Sequence, residues 1–349
     1  MYYCYINIVG TGKKSKGEQI GIVCLGELIL DMFPVEGGRD FHSISAFQPV
    51  PGGAPANVAV AAARLGVSSA FIGKVGEDPF GRRLAAVLAE CGVDTRGMRF
   101  DPHSRTTLNF IALPDQNSAE YLFYRHPGAD MMLRPEELDN DLLKQAEIFH
   151  FGSVSLTAEP CRGATLEAAR LARAAGALVS FDVNYRPSLW EDERSALAAI
   201  QTALPLADIL KVNEIELGML ERATAPLEAC RILTGRGPVL CVVTLGPQGS
   251  AYATPSASGH VGGFRVRAVD ATGCGDAFMG ALLARLLGLI GGEKTTIRRR
   301  LASLSSAALS EALAYANAAG GLTATKKGVI PALPSAGEVE WLLRKAGKR

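Results

Sequence analysis

Short, continuously apolar runs recur along the chain and alternate with longer Ala- and Leu-rich stretches. Ile20–Leu25, Ala70–Val75, Ile148–Gly152, Leu178–Asp182, Ile209–Val212 and Val239–Leu245 read as strands, each followed by Gly, Asp, Asn or a similar turn residue. Runs that are mostly apolar, without a strict apolar–polar alternation, mark strands covered on both faces, as in parallel sheets. Between them, Ala56–Leu65, Phe80–Cys91, Pro135–Ala146, Cys161–Ala175, Asp192–Ala203, Ile215–Glu221 and Gly275–Leu289 carry helical patterns. Strand–helix–strand repetition predicts an α/β fold, a doubly wound and mostly parallel sheet with helices on both faces.

Two regions interrupt that alternation. Leu28–Phe47 and Thr106–Arg125 read as strands joined by polar turns, Glu36-Gly37-Gly38 in the first and Pro114-Asp115-Gln116-Asn117 in the second. They stand as two surface hairpins or as a small β lid, spanning about 28–48 and 104–126, over the sheet edge where α/β proteins bind ligands. No internal repeat or low-complexity linker divides the rest, so residues 19–349 are expected to form one domain. Residues 1–18 read as a non-core extension. Their aromatic and apolar run precedes Lys13, Lys14 and Lys16, the reverse of a secretory signal.

Composition narrows the function classes. Of 349 residues, 48% are hydrophobic and 20% charged, enough to bury a large core. The net charge of +1 supplies no basic footprint for nucleic acid. The most apolar helix, Ala281–Ile290, carries Arg285 and falls short of the roughly 20 residues a membrane span needs. Seven cysteines, an odd number without framework spacing, suit a reducing, cytoplasmic setting.

Several catalytic patterns fail. Gly10-Thr11-Gly12-Lys13-Lys14-Ser15 lacks the first Gly of a phosphate loop, with Asn7 in its place, and has Lys14 where Ser or Thr belongs. There is no C-x-x-C pair, the five histidines have no ligand spacing, and no G-x-S-x-G elbow occurs. Gly26-Glu27-Leu28 after the first strand does not supply the G-x-G-x-x-G of a dinucleotide oxidoreductase.

Two other segments carry chemistry. Gly52-Gly53-Ala54-Pro55-Ala56-Asn57 runs from a glycine turn into a helix, with Asn57 in the first turn as a polar ligand or a local cap. Asp270-Ala271-Thr272-Gly273-Cys274-Gly275-Asp276 joins a predicted strand, Phe264–Val269, to the helix Gly275–Leu289. Glycines at a helix start leave N–H groups and the positive dipole end facing one point, an anion site. Asp276 beside it either complements the dipole or acts as a base that takes an alcohol proton while the N–H groups neutralise a transferring phosphoryl group. Cys274 at that terminus is also a candidate reactive thiol.

Together, Gly52-Gly53…Asn57 and Asp270-x-Thr-Gly-x-Gly-Asp276 resemble the two signatures of the PfkB family of sugar and nucleoside kinases, over about Ile20 to Pro334. The resemblance implies a ribokinase-like fold with Asp276 as catalytic base and Gly273, Cys274 and Gly275 as anion hole. It implies ATP as phosphoryl donor, with Asn184, Lys211, Thr244, Gly246, Gly249 and Asn317 toward the nucleotide. Asn213 and Glu216 match the family's N-x-x-E element, linked indirectly to Mg²⁺. Asp270 and Thr272, with the loop around Thr323 and Gly328, match a monovalent cation site, which suggests K⁺. Cys274 stands where the family usually has Ala, and Ala271 where it commonly has Thr.

On the sugar side the resemblance points to Asp31, Gly53, Asn57, Arg125 and Arg186, and the segments Gly26–Asp31, Phe123–Arg125 and Asn184–Trp190 look most like fructokinases. It implies phosphorylation of O6 of fructose, with no nucleic-acid or membrane partner, and a homodimer through the lid. A 2-keto-3-deoxygluconate kinase is the alternative, since Arg125 and Arg186 suit a carboxylate. A kinase-like binding or regulatory protein without turnover is the alternative of another class.

Overall fold

The computed structural model describes residues 19–38, 40–112, 114, 120–221 and 225–347. The extension 1–18 and the turn residues Asp115, Gln116 and Asn117 lie outside the described residues. Along the chain the elements are β1 (Ile20–Leu25), β2 (Ile29–Pro34), β3 (Phe47–Gly52), α1 (Ala54–Arg64), β4 (Ser69–Gly76), α2 (Pro79–Glu90), β5 (Asp94–Asp101), β6 (Leu108–Ala112) and β7 (Glu120–Tyr124). There follow α3 (Asn140–Gln145), β8 (Ala146–Gly152), α4 (Cys161–Ala174), β9 (Leu178–Asp182), α5 (Glu193–Ala203), β10 (Ile209–Asn213), α6 (Glu214–Leu220) and α7 (Pro226–Thr234). The last are β11 (Leu240–Thr244), β12 (Ser250–Ala253), β13 (Ser258–Val261), α8 (Cys274–Ile290), α9 (Lys294–Ala302), α10 (Ser306–Thr323) and α11 (Ala336–Ala346).

Nine strands form one sheet in the order β13-β12-β11-β10-β9-β8-β1-β4-β5. All neighbours from β11 to β5 are parallel, and β12 and β13 close one edge antiparallel. The period-2 logic of strands splits β1 between two cores. Ile22 and Cys24 join α1, α2, α8 and α10 on one face, while Val23 and Leu25 join α3, α4, α5 and α7 on the other; Ile20, at the strand's first position, also packs with the second group. From β1 the chain winds outward through β4 to β5, then returns to β8 and winds the other way. The switch point between β1 and β8 is where open α/β sheets form a ligand crevice.

The interruptions pair with each other. β2 runs parallel to β6, and β3 and β7 flank them in a second sheet of order β3-β2-β6-β7. Its second strand begins at Phe47 and runs into Gly52, so the residues expected as a glycine turn are ladder residues up to the N-cap of α1.

Other boundaries moved for physical reasons. Pro135–Ala146 is a 3₁₀ turn, Pro135–Glu137, followed by α3, because the Asp139 side chain caps a new helix by accepting from Leu142 N–H. Phe264–Val269 is not a strand. Its alternation is real, but Phe264 and Val266 lie against Gly321 of α10, and Val269 N–H donates to Ala324 O instead of to a sheet neighbour. Among the described residues no single helix is long and apolar enough to cross a membrane, and all six cysteines are free.

Candidate active site

The centre of the site is the start of α8. Gly273 is its N-cap, in the left-handed region at φ 77°, and a Cβ there would overlap Val329 Cγ1. The cap residue brings no side chain to bond the first-turn N–H groups, so Gly275 and Asp276 keep the orphan donors of a helix start. A Cβ on Gly275 would lie 3.3 Å from Lys211 Nζ, so the ammonium sits against the same turn. Farther along, Gly280 lets α8 pack directly on Ala61 and the Val58 carbonyl of α1. That close approach brings Asn57 of α1 to Asp276, and its Nδ2 donates to Asp276 Oδ2 at 2.8 Å.

Burial pushes the Asp276 carboxyl up to about 6, against the pull of the Asn57 hydrogen bond, and Asp182 adds to the rise while Arg186 and Lys211 oppose it. A group titrating just below neutral pH is suited to take a proton and release it. Lys211, also buried, stays charged: burial alone would lower its pKa, but Asp182, whose oxygens lie 3.0 and 3.1 Å from Nζ, and then Glu216 outweigh it and raise it.

Asp31, on β2, is buried and pushed up to about 7 by desolvation, with Asn109 and Arg186 pulling it down and Asp276 pushing it up. Asn109 Nδ2 donates to Asp31 Oδ1 at 2.7 Å. Asp31, Asn57, Asp276, Lys211 and Arg186 are thus one electrostatic group at the strand ends. Gly53 belongs with them as the N-cap of α1. Arg186 is half-buried, donates to Tyr185 O at 3.2 Å, and makes no ion pair with Asp182 or Glu191 among the described residues. Asn184, just past β9, is the one non-glycine residue with positive φ among the described residues, at 40°. Such backbone is held only where its surroundings over-determine it.

A second group gathers on Val261–Gly263. Asn317 of α10 donates through Nδ2 to Val261 O at 3.1 Å and Gly262 O at 3.3 Å. Gly249 packs on the same backbone, following the short turn that Gly246 opens after Thr244 at the end of β11. A third group ties the anion loop to the segment after α10: Asp270 accepts from Thr272 N–H at 2.9 Å and from Gly328 N–H at 3.1 Å. Thr323 turns away into its own helix, donating to Ala319 O.

Two expectations change, those for Arg125 and Cys274. Arg125 stands apart from Asp276: its Nε donates to Asp130 Oδ2 at 2.7 Å and its other nitrogens to Thr157 Oγ1 and Val154 O, so the fork is filled within the chain. Cys274 is not a reactive thiol, because burial, then Asp270 and Asp276, push it up to about 12. Asn213 and Glu216 form a reciprocal capping box at the start of α6. The Glu216 oxygens accept from Asn213 N–H and Tyr185 N–H, both at 2.8 Å.

Sequence reasoning passed over Asp182, Asn109 and Glu27. Asp182 ends a predicted strand, the position where α/β ligand sites concentrate, and that signal was available. Glu27 accepts from Ala54 N–H at 2.9 Å across the turn into α1 and is pushed up to about 7 by burial. Nothing local marks Glu27 or Asn109, whose partners lie 27 and 78 residues away.

Comparison with known proteins agrees with this arrangement. Residues 19–336 match the family described as pfkB family carbohydrate kinase. The chain is 45% identical to probable fructokinase-7 of Arabidopsis thaliana over 335 residues, 94% of each chain. It is 43% identical to fructokinase-1 of Zea mays over 326 residues, 93% of this chain and 98% of the relative. A fructokinase with bound ATP from Xylella fastidiosa superposes with a TM-score of 0.84 at 35% identity, covering 94% of this chain and 99% of that one. A fructokinase from Vibrio cholerae in a fructose-, ADP- and calcium-bound form gives 0.79 at 33% identity, with 93% and 99% covered. With residues 19–336 matched and relatives of this coverage, the chain belongs to the pfkB family of carbohydrate kinases.

Proposed function

We propose that this kinase is an ATP-dependent fructokinase that transfers the γ-phosphoryl group to O6 of fructose. The observation that carries the reading is the Asp276 carboxylate, held by Asn57 at the N-terminus of α8 and raised by burial to about 6. In this reading Asp276 takes the O6–H proton as O6 forms its bond to phosphorus and the bond to the departing ADP oxygen breaks. The N–H groups of Gly273 and Gly275, with Lys211 beside Gly275, receive the charge on the phosphoryl oxygens, joined by that of Cys274 once it leaves its 3.3 Å bond to Ala271 O. Asp31, Gly53, Asn57 and Arg186 hold the sugar; Asn184, Thr244, Gly246, Gly249 and Asn317 hold the nucleotide.

The names of the relatives support fructose over a keto acid, and so does Arg125, one of two forks available for a carboxylate and already filled by Asp130. An intact base and helix start weigh against a binding protein without turnover.

Mg²⁺ would travel with ATP and screen its phosphate charge. The chain's donors fit that indirect role: no three or more His, Cys, Asp or Glu converge on a metal among the described residues, and both Glu216 oxygens already accept backbone N–H groups. K⁺ would sit by Asp270, Thr272 and Gly328 and hold the anion loop, with Thr323 contributing at most backbone because its hydroxyl is committed to its helix. We read residues 19–349 as one kinase domain, with the β2, β3, β6 and β7 sheet as its lid and the exposed Tyr121, Leu122 and Tyr124 of β7 as a surface for a second lid in a homodimer. The free cysteines suit a cytoplasmic setting.

The test is phosphorylation of a sugar panel with ATP, Mg²⁺ and K⁺. Fructose should give the highest kcat/KM. A higher value for 2-keto-3-deoxygluconate would overturn the assignment.

A further inference from the structure

The register of the small sheet sets Asn109 of β6 directly beside Asp31 of β2. In-register residues on neighbouring strands project to the same face. Here that face looks toward the base, because Asp276 and Arg186 both act on the Asp31 carboxylate. Asn109 is 4% exposed, and its amide is half used: Nδ2 donates to Asp31 Oδ1 at 2.7 Å, while the carbonyl Oδ1 is buried without a partner. Buried polar atoms are nearly always paired, so an orphaned acceptor beside a ligand-binding carboxylate calls for a donor that arrives with the ligand. Asn57, on the opposite wall, shows the same division: Nδ2 committed to Asp276 and Oδ1 buried without a partner.

We propose that Asn109 is a specificity-determining residue whose Oδ1 accepts a hydroxyl hydrogen of the sugar while its Nδ2 aims Asp31 at a neighbouring hydroxyl. The proposal rests on the reading that a sugar binds between the small sheet and Asp276, and it deepens that reading. It assigns the substrate class as a neutral polyhydroxyl compound. Asp31, Asn57 and Asn109 present acceptors, which suit hydroxyl donors and oppose a carboxylate. A purely structural Asn109 would need only its donor to hold Asp31. The orphaned acceptor has no structural use.

A coupling experiment separates the two roles. Wild-type protein and Asn109→Ala are assayed on fructose and on a series of fructose analogues each lacking one hydroxyl. For one analogue the wild type should lose about tenfold or more in kcat/KM, the scale of a buried hydrogen bond. Asn109→Ala should suffer at least a similar loss on fructose and little further loss on that same analogue; deletion of the neighbouring hydroxyl, which Asp31 takes, should also cost the variant less than wild type, while the remaining deletions cost both proteins equally. Losses that multiply independently for every analogue, or an alanine variant equal to wild type, would overturn the proposal. Asn109→Leu, closer in volume, serves the same comparison if the alanine variant does not fold. Failure of the wild type on fructose would overturn the substrate reading alone; the same series built on the neutral sugar it does phosphorylate then upholds or overturns the role of Asn109.

Discussion

Asn57 and Asp276, 219 positions apart in the chain, meet at 2.8 Å where α1 crosses the start of α8. One carboxylate oxygen of Asp276 is thereby fixed, and in the proposed mechanism the other takes the proton of the sugar hydroxyl. Asp276→Asn should preserve the fold and sugar binding and lower kcat by roughly 10²–10⁴, the worth of a positioned general base. Kinetics together with sugar binding on the folded variant check this. A variant with near-normal kcat would remove Asp276 from the chemistry.

The same pair sets a pH dependence. Asp276 works ionised and is pushed up to about 6, so kcat/KM should fall as pH drops through about 6. The Asn57 hydrogen bond is the largest influence holding that value down. Asn57→Ala should therefore move the acid limb to higher pH as well as weaken sugar binding. An acid limb that stays in place would show that Asn57 acts on the sugar alone.

Much of this was legible before any coordinates. Mostly apolar runs predicted β1 and β9 residue for residue, because strands buried on both faces contrast with the glycine and polar residues around them. The start of α8 at Gly273 was legible to within a residue because helix starts and glycines are local properties of sequence. Phe264–Val269 misled because alternation reports a half-buried extended segment and not what it pairs with. Arg125 looked free because its partner Asp130 is reached only after the chain folds back past β7. Asn109 was invisible for the same reason: its meaning depends on a β2–β6 register that no local pattern encodes.

Burying Asp31 has a thermodynamic cost that can be measured. Its native pKa of about 7 lies above the ordinary 3.8. Between these values the native state binds more proton than the unfolded chain, so the stability this group contributes is full below about 4 and is lost as pH rises through about 7. Asp31→Asn has no such dependence. The variant should match wild type near pH 4 and exceed it at pH 8 by roughly 4 kcal/mol in the absence of sugar, at about 1.4 kcal/mol per pKa unit. Urea unfolding at the two pH values tests it, and a constant difference would refute the linkage.

Arg125 should behave as a structural residue. Its side chain is 4% exposed and that of Asp130 2%, and the pair anchors the end of β7 to Val154 and Thr157. Removing one partner of a buried ion pair typically costs about 3–5 kcal/mol, because the other charge is left uncompensated. Arg125→Ala should lose stability on that scale. Arg125→Lys should lose less and, once folded, keep kcat/KM for fructose within a few-fold of wild type. A large rise in KM without loss of stability would return Arg125 to the sugar site.

The last prediction concerns Asp270 and K⁺. Asp270 joins two segments: one oxygen accepts from Thr272 N–H, just before the anion loop, and the other from Gly328 N–H, just before the Val329 that packs on Gly273. A monovalent cation held there touches neither sugar nor nucleotide. Its effect would pass through the position of the N–H groups that receive phosphoryl charge, an interaction made mainly in the transition state. Such an effect appears in kcat more than in KM. Replacing Na⁺ by K⁺ should raise kcat several-fold with little change in the KM for fructose, and Asp270→Ala should lower kcat and abolish the difference between the two ions. Steady-state kinetics in K⁺, Na⁺ and a bulky organic cation check all three points. Equal wild-type rates in the three salts would leave Asp270 as a tie between two loops and nothing more.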